Sequence, residues 1–299
     1  MSTRPGLLHG RLGLAASRIP QADRHGLLWL EYGRLSVEDG TLCFVAAQSE
    51  ALASGEYAIP FQAVSMILLG PGTTLTHDVL RLCARHGTLI AAIGAGGVKS
   101  YTAPPMGRGR SAVARAHASL WADTGRRLDV ARRLYAWRFG QVFPHRDITT
   151  LRGIEGARLK ESYKLIAQQY GIEWRSRRYD RQNPNAADLP NQAINHASTF
   201  VEAAADIAVA VVGALPPLGF IHEDSSNAFT LDIADLYRVE ITLHLAFAAV
   251  RAHQDGKTDN LEREVRYRAA REFRQKKLIP RMIDRIKEVL DVDDNDSDA

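Results

Sequence analysis

The 299-residue sequence predicts an α+β fold in which a small N-terminal β-sandwich-like domain precedes a larger all-α domain. Short β-type segments separated by turn residues fill the first hundred residues, a pattern typical of a small sandwich or barrel. From about residue 112 the apolar residues recur with a helical period instead. Between the two regions, the segment 103–109 (APPMGRG) has the composition of a linker. We therefore expect domains at 1–103 and 104–290, followed by an acidic tail at 291–299.

The composition excludes several classes of protein. Hydrophobic residues make up 45% and charged residues 24% of the chain, ordinary globular values that exclude wholesale disorder and fibrous structure. The longest apolar run, 207–221, contains two prolines and is shorter than the roughly 20 apolar residues that span a bilayer. The N-terminus lacks the apolar segment of a signal peptide, and two cysteines make neither a disulfide framework nor a thiolate zinc site. We expect a cytoplasmic protein without a membrane partner.

The N-terminal region carries six predicted strands and one predicted helix. A turn is predicted at 38–40, where Gly40 supplies the positive φ that a hairpin needs. The helix is predicted over 76–86, and Gly87 ends it. The strands are predicted at 27–32, 42–45, 57–60, 64–69, 88–93 and 98–102.

The C-terminal region carries seven predicted helices. The segment 190–212 is rich in alanine and apolar enough to be the buried central helix of its domain. A polar loop at 171–188 precedes it. The tail should be disordered, because five aspartates among its nine residues leave almost nothing to bury. The helices are predicted at 112–123, 126–139, 150–170, 190–212, 232–253, 261–274 and 280–290.

Positive charge is concentrated in one segment. The net charge is only +4, but residues 99–181 contain eighteen Lys and Arg against seven Asp and Glu. Arginine outnumbers lysine 31 to 7, and guanidinium groups bind phosphates bidentately. A GC-rich genome would explain the ratio of arginine to lysine but not the clustering. Within the segment, 174–181 interleaves aromatics with arginines, which suits either nucleic acid or a solvated loop. The distribution favours a nucleic-acid partner.

The sequence lacks P-loop, nucleophile-elbow, HExxH and CxxC motifs, so NTPase, α/β-hydrolase and zincin activities lose their usual support. Glycines at 153 and 156 lie inside a predicted helix, where each costs about 1 kcal/mol relative to alanine. We therefore expect a neighbouring helix to approach the backbone closely there. The residues that remain as candidates for chemistry are three acids and one imidazole: Glu155, His222, Asp232 and Asp235.

Each of these candidates also has a structural interpretation. Glu155 could pair with Arg152 or Arg158 on a solvated helix face. His222 follows an apolar run, where a histidine more often serves the structure alone. The two aspartates are predicted in the first turn of a helix, where carboxylates cap the backbone and favour the N-terminal dipole. Spacing alone leaves these alternatives open.

Five motifs of the helical region, taken together, resemble a known family. They are Arg152-Gly153-Ile154-Glu155-Gly156, Trp174 with Arg178-Tyr179-Asp180, Asn191-Gln192-Ala193-Ile194, Gly219-Phe220-Ile221-His222 and Asp232-Ile233-Ala234-Asp235. In this order they are similar to the spacer-acquisition integrase of CRISPR systems, the first CRISPR-associated (Cas) protein, in its type I-E form. The N-terminal half agrees through Ile19-Pro20, Asp23-Arg24, Glu31-Tyr32-Gly33, Pro71-Gly72-Thr73 and His86-Gly87-Thr88-Leu89. The resemblance covers about residues 18–290.

The resemblance implies an activity, a site and partners. The activity is that of a metal-dependent DNA integrase and endonuclease that joins the 3′-OH ends of a short duplex into a repeat array by transesterification. The β-rich domain would serve dimerisation and contact with the DNA end, and the helical domain would be catalytic. The metal ligands carry over to Glu155, His222 and Asp235, with Asp232 as a supporting carboxylate and Mg²⁺ or Mn²⁺ as the ion. The implied partners are DNA, a second copy of the chain and the small ferredoxin-like second CRISPR-associated protein.

The resemblance and the charge pattern together predict a path for DNA. Tyr32 matches an aromatic residue that wedges against the terminal base pair of the incoming duplex. Lys160 adds to the family's basic positions, and the helical ones should form one positive track leading to the metal. The predicted basic DNA contacts are Arg81, Lys99, Arg152, Lys160, Arg177, Arg178 and Arg238.

The sequence departs from the family's pattern at two places. Glu223-Asp224-Ser225 follows His222, where relatives usually have Thr-Gly and a basic residue, so negative charge is added beside the site. Glu202 stands where relatives carry a tyrosine once suspected as a nucleophile, which argues against a tyrosyl intermediate there. Two alternative functions remain open: a metal-dependent nuclease acting on branched DNA, and a non-catalytic DNA-binding scaffold.

Overall fold

A computed structural model describes most of the chain. The described residues are 26–48, 52–102, 111–142, 147–178, 187–223 and 225–292. The chain divides into two compact units, of which the first ends at Ala112 and the second is Val113–Val292. The predicted linker and the residues of the acidic tail after Val292 lie outside the described residues. So do the Ile19-Pro20 and Asp23-Arg24 motifs.

The first unit contains two sheets and one helix. The elements are β1 Gly26–Leu30, β2 Gly33–Glu38, β3 Thr41–Ala46, β4 Gly55–Ile59, β5 Val64–Leu69, β6 Thr73–Leu75, α1 His77–His86 and β7 Leu89–Ala92. The strands β1, β5 and β7 form a three-stranded parallel sheet in the order β1-β5-β7. The second sheet has the order β4-β3-β2-β6, in which β2, β3 and β4 are antiparallel and β6 is parallel to β2.

One hydrophobic core joins both sheets to α1. Leu35 and Phe44 from one sheet, Ile67 from the other and Val79 from α1 are all fully buried within it. All six residues of β5 are buried, as expected for the middle strand of a parallel sheet covered on both faces. The N-terminal half of the predicted α+β fold is therefore confirmed.

Four details of the strand prediction were wrong. The first strand ends at Leu30, and the chain turns at Tyr32 (φ 53°) into β2, which was not predicted. The short strand β6 was also missed, because three residues are too few to show an alternating pattern. The predicted strand at 98–102 is reduced to a single bridge between Ile93 and Ser100. The turn at 38–40 was predicted correctly: Asp39 and Gly40 both have positive φ and connect β2 to β3.

The second unit is helical, as predicted, and α5 is its buried centre. Contacts from α6, α7, α8 and α9 surround α5, whose N-terminus is capped by Asp188 and whose C-terminus ends at Gly213 in the left-handed conformation. Among the described helices, none combines the length and the apolar character needed to cross a membrane. The helices are α2 Ser111–Ala122, α3 Thr124–Phe139, α4 Ile148–Gln169, α5 Leu189–Val212, α6 Ala228–Asp235, α7 Leu243–Gln254, α8 Leu261–Gln275 and α9 Leu278–Val289.

The predicted single helix over 232–253 was wrong. Two helices, α6 and α7, replace it, and a π-helical turn at Arg238–Thr242 connects them. The wider turn includes a hydrogen bond from Thr242 N to Tyr237 O (3.1 Å). Asp232 and Asp235 therefore lie in the second half of α6 and not in the first turn of a helix, so they do not cap it.

Candidate active site

The loop between α5 and α6 carries His222, and close packing shapes this loop. A Cβ atom on Gly219 would lie 2.3 Å from the carbonyl oxygen of His222 and 2.7 Å from Cβ of Ala228, so only glycine fits there. Phe220 is fully buried next to it. The motif Gly219-Phe220-Ile221-His222 thus folds back tightly on the start of α6.

Asp232 holds this loop by four hydrogen bonds. Its carboxylate accepts from the backbone N–H groups of Phe220 (2.6 Å), Ile221 (3.1 Å) and His222 (3.0 Å). It also accepts from Nδ1 of His222 at 2.7 Å. Asp232 is 1% exposed, so its carboxyl oxygens are satisfied by these protein donors and not by solvent. The bond to Nδ1 orients the imidazole and leaves Nε2 as the acceptor of the neutral ring.

Two side chains of α2 fix the other end of the loop. Nδ1 of His117 accepts from Leu215 N (3.2 Å), and its Nε2 donates to Leu218 O (2.8 Å). Trp121 Nε1 donates to Gly219 O at 2.9 Å. Burial lowers the pKa of His117 to about 4, which keeps the ring neutral and matches its one donor and one acceptor.

Asp235 lies beside His222 and is surrounded by positive charge. Its Oδ2 is 3.8 Å from His222 Nε2, and its Oδ1 accepts from Nε of Arg238 at 2.9 Å. Burial raises the pKa of Asp235, but Arg238 and Arg138 lower it by more, so the net shift is downward and the carboxyl is ionised. For His222, burial lowers the pKa, yet Asp232 and the other nearby carboxylates outweigh it and the net shift is upward.

A buried arginine, Arg138, links Glu155 of α4 to Asp235. Arg138 of α3 hydrogen-bonds to Glu155 Oε1 through Nη1, and its Nη2 lies 3.4 Å from Asp235 Oδ2. The expected partners of Glu155 were wrong, since Arg152 donates to Ile221 O (2.6 Å) and Arg158 donates to Gln141 Oε1 (2.8 Å). The Glu155 side chain is 16% exposed, so it is not on a solvated face.

The expectation that glycines in α4 admit a neighbouring helix was wrong. A Cβ on Gly153 or on Gly156 would meet no atom of the described structure within 4 Å, and both residues are exposed. Most buried residues of α4, such as Tyr163 and Ile166, lie in its C-terminal half. The two glycines leave a stretch of bare helix backbone next to Glu155 open to solvent.

Glu155 and Asp235 both contact Arg138, and Asp235 lies beside His222, but the ligand atoms of the three residues do not all lie within 4.8 Å of one another. Within the described part of the chain, the residues that meet this distance are Glu38, Cys43 and Glu56 of the four-stranded sheet. There the Cys43 thiol donates to Glu56 Oε1 at 3.1 Å. The described residues thus include two candidate places for a cation, one in each unit.

The basic residues predicted to bind DNA in the second unit fall into two groups. Lys160 and Arg178 are exposed. Arg177 instead donates to Oδ1 of Asn191 (3.1 Å) and of Asn195 (2.7 Å), and so ties its loop to α5. Arg238 pairs with Asp235. Arg152 donates to the Ile221 carbonyl and is still 46% exposed, so it belongs to both groups. Residues 179–181 of the same basic loop lie outside the described residues.

Three further predicted DNA contacts belong to the first unit. Tyr32 is 47% exposed at the turn between β1 and β2, where its backbone N–H donates to Pro71 O (3.0 Å). The Arg81 side chain is 68% exposed on α1 and pairs with Asp78 one turn away (3.1 Å). Lys99 is half-buried in the loop after β7.

The structure also places the two departures from the family's pattern. Glu223 pairs with Arg127 at 2.7 Å, so its negative charge is compensated locally, while Asp224 lies outside the described residues. Glu202 on α5 is half-buried, and burial together with the charge of Asp235 raises its pKa to about 7.

Arg138 is the main functional candidate that sequence reasoning missed. The signal was present: Arg138 follows Ala131, Leu134 and Tyr135 at helical spacing, on the face of α3 that is buried. A charged residue on a buried helix face needs a partner of opposite charge. His117 was missed for a similar reason, since it belongs to the buried face of α2.

Comparisons with known proteins agree with one another. A family model described as CRISPR associated protein Cas1 matches residues 138–280. The chain is 35% identical over 278 residues to the CRISPR-associated endonuclease Cas1 of Escherichia coli (strain K12), covering 93% of this chain and 88% of the relative. It is 34% identical over 271 residues to CRISPR-associated endonuclease Cas1 1 of Rhodospirillum rubrum, covering 90% and 85%. The crystal structure of a TtCas1–DNA complex matches with a TM-score of 0.79 at 29% identity, covering 93% of this chain and 99% of that one.

Proposed function

This chain belongs to the Cas1 family of CRISPR-associated proteins, and on that premise we propose that it is a divalent-metal-dependent DNA integrase and endonuclease of CRISPR adaptation. It joins the 3′-OH ends of a short duplex to phosphodiesters of a repeat array by transesterification. One observation carries the proposal: Glu155 and Asp235 meet a single buried cation, Arg138, while His222 turns Nε2 toward Asp235.

The donor set fits a hard divalent cation. Glu155 and Asp235 offer carboxylate oxygens, and His222 offers an imidazole nitrogen whose ring is oriented by Asp232. The guanidinium of Arg138 against both carboxylates indicates that this place accommodates positive charge. When bound, Mg²⁺ or Mn²⁺ supplies activation of the attacking hydroxyl and neutralisation of charge at the phosphate. Because transesterification conserves bond energy, no nucleotide site is needed.

The residues around the ligands hold them in place. Asp232 fixes the His222 loop, and His117 anchors the part of that loop nearest α5. Arg238 keeps Asp235 ionised and donates to its Oδ1, so Oδ2 of Asp235 can serve as a metal ligand. Such surrounding contacts orient metal ligands and are typically worth 10–100-fold in metal affinity or activity.

DNA approaches along α4. The bare backbone at Gly153 and Gly156 lets a phosphodiester chain come close to Glu155, while Lys160 and Arg178 are exposed to pair with phosphates. Tyr32 stacks on the end of the duplex, since an exposed aromatic ring binds any base. The match to a structure described as a TtCas1–DNA complex supports DNA as the ligand.

Family membership also supports an assembly. The chain acts as a homodimer, and two dimers flank a dimer of the small ferredoxin-like second CRISPR-associated protein. In this arrangement the first unit serves dimerisation and the second carries the site. Mass photometry of the chain alone and with the small protein measures both contacts.

A joining assay tests the function. A labelled short duplex with 3′-OH ends is incubated with the chain, its small partner and a supercoiled plasmid carrying the repeat array, with Mg²⁺ or Mn²⁺. We expect joined product that disappears in chelator and in Glu155→Gln, while binding of the duplex is retained. Glu161→Gln is the matched control, because Glu161 is an exposed glutamate of the same helix. Joining at the wild-type rate by Glu155→Gln would contradict the proposal.

A nuclease acting on branched DNA is the second candidate, because the curated relatives bear the name endonuclease. The same residues would serve with water as the nucleophile, so cleavage of a branched substrate without joining would identify this activity. The scaffold alternative depends on Glu223 and Asp224 disabling the site. The pairing of Glu223 with Arg127 weakens that argument.

A further inference from the structure

Arg138 is a buried arginine to which the proposed chemistry gives no part. It lies on the buried face of α3, and its side chain is 2% exposed. Its Nη1 hydrogen-bonds to Glu155, and its Nη2 is 3.4 Å from Asp235 Oδ2. One guanidinium therefore joins two proposed ligands that come from different helices, α4 and α6.

The hydrogen bonding of this guanidinium is incomplete. Neither Nε nor Nη2 of Arg138 has a hydrogen-bond partner among the described residues, whereas buried donors are nearly always paired in proteins. Arg238, the other cation at Asp235, differs: it donates to Asp235 through Nε at 2.9 Å and to the Tyr163 hydroxyl through Nη1 at 3.4 Å. Arg138 is held mainly by electrostatic attraction to Glu155 and Asp235, so another cation could replace it between these two carboxylates.

The oxygens that hold Arg138 are the ones a divalent ion needs. Mg²⁺ binds carboxylate oxygens at about 2.0–2.1 Å, and a guanidinium at the same oxygens both fills that space and repels a second cation. In addition, the ligand atoms of Glu155, His222 and Asp235 do not all come within 4.8 Å of one another. While Arg138 lies between Glu155 and Asp235, the three ligand side chains are thus spread too widely to surround one ion.

We propose that Arg138 is a resident cation of this site: it holds Glu155 and Asp235 together while no metal is bound and leaves at least one of them when a divalent ion occupies the ligands. The inference rests on the proposed function, because it takes Glu155, His222 and Asp235 as the ligands. Arg138 therefore stabilises the metal-free protein and lowers the affinity of the site for metal. It is a positioning residue and does not touch the DNA.

Metal binding to the full-length chain tests this role without reference to activity. Mn²⁺ is titrated by calorimetry into chelator-stripped wild type, Arg138→Gln, Arg138→Lys and Glu155→Gln, and melting temperatures are measured with and without Mn²⁺. Arg133→Gln is the matched control, because Arg133 lies on the same helix and pairs with Asp291 away from the site. A residue with a merely structural role would leave the affinity unchanged or weaken it.

We expect Arg138→Gln to bind Mn²⁺ at least about tenfold more tightly than wild type, because a positive charge beside the ion is removed. Its metal-free melting temperature should fall, and Mn²⁺ should raise it by more than in wild type. Arg138→Lys, which keeps the charge but replaces the two contacting nitrogens by one, should lie between the two, and Arg133→Gln should match wild type. An Arg138→Gln protein that folds only with Mn²⁺ gives the same support.

Unchanged or weaker Mn²⁺ binding by Arg138→Gln would overturn the inference while leaving the proposed function intact, and so would a variant that stays unfolded with Mn²⁺. Equal Mn²⁺ binding by wild type and Glu155→Gln is a different result. It would overturn the ligand set of the proposed function, and the role of Arg138 with it.

Discussion

Both carboxylate oxygens of Asp232 accept hydrogen bonds from the loop that carries His222. Hydrogen bonds to a charged acceptor contribute about 1.5–3 kcal/mol each, and Asp232 accepts four of them from residues ten to twelve positions earlier in the chain. The sequence suggested Asp232 as a supporting carboxylate through resemblance alone. Spacing could not reveal that its partners are backbone N–H groups, because the loop returns to α6 only in the folded chain.

His117 makes stability depend on pH. The pKa of His117 is lowered to about 4 in the folded protein from an ordinary value of 6.5, mainly by burial. The folded state therefore binds fewer protons than the unfolded state between these values, so stability is complete above about pH 6.5 and is lost as the pH falls toward 4. Over this range the loss is about 3 kcal/mol.

The prediction is that His117→Gln removes this part of the acid dependence. Urea unfolding of wild type and variant from pH 7 to pH 4 measures it, and the two curves of unfolding free energy against pH should converge toward low pH. His77→Gln, which changes an exposed histidine on α1, should keep the wild-type slope. Parallel curves for wild type and His117→Gln would show that His117 does not titrate as described.

At the scale of elements, the glycines of α4 and of the α5–α6 loop have opposite surroundings. Gly153 and Gly156 face open space, whereas a Cβ on Gly219 would meet the His222 carbonyl at 2.3 Å. Alanine is favoured over glycine inside a helix by about 0.5–1 kcal/mol. Replacing glycine by alanine should therefore stabilise α4 and disrupt the α5–α6 loop.

We predict that Gly153→Ala and Gly156→Ala each raise the free energy of unfolding by about 0.5–1 kcal/mol, while Gly219→Ala lowers it. Urea unfolding of the three variants measures these free energies. If DNA passes along α4, the two stabilised variants should also bind a short duplex more weakly than wild type. Destabilisation by Gly156→Ala would mean that this part of α4 is packed after all.

Sequence patterns predicted elements with a clear period and missed those without one. The helix α5 was predicted within one residue at its N-terminus, since capping by Asp188 and the αL residue Gly213 agree with its apolar pattern. The break between α6 and α7 was missed, because buried residues on all sides of this segment hide the change of register at the π-helical turn. Arg138 was missed because its acidic partners lie 17 and 97 positions away.

At the scale of the whole molecule, the basic residues between 99 and 181 have two roles: some bind groups within the protein and others face solvent. Arg138 and Arg177 bind groups within the protein, whereas Lys160 and Arg178 face solvent. Arg152 does both, since it donates to Ile221 O while its side chain is 46% exposed. A count of charges along the sequence cannot separate these groups, because both look alike until the helices pack. The predicted positive track is therefore narrower than the charge excess suggested.

We predict that Lys160→Ala and Arg178→Ala each reduce the slope of log K against log salt for duplex DNA by about 0.9, independent of sequence. Arg177→Ala should mainly lower the melting temperature, because its guanidinium ties the loop to α5. Filter-binding titrations across salt concentrations measure the slopes. A wild-type slope in the Lys160→Ala/Arg178→Ala double mutant would remove both residues from the DNA path.

We propose that Glu155, His222 and Asp235 hold the divalent ion that serves strand joining. Anomalous diffraction from crystals of the full chain grown with Mn²⁺ tests it most directly. We predict a peak within about 2.0–2.6 Å of both carboxylates and of His222 Nε2, with Arg138 turned away from at least one acid. A peak found only at Glu38, Cys43 and Glu56, where the ligand atoms already lie within 4.8 Å, would contradict the account.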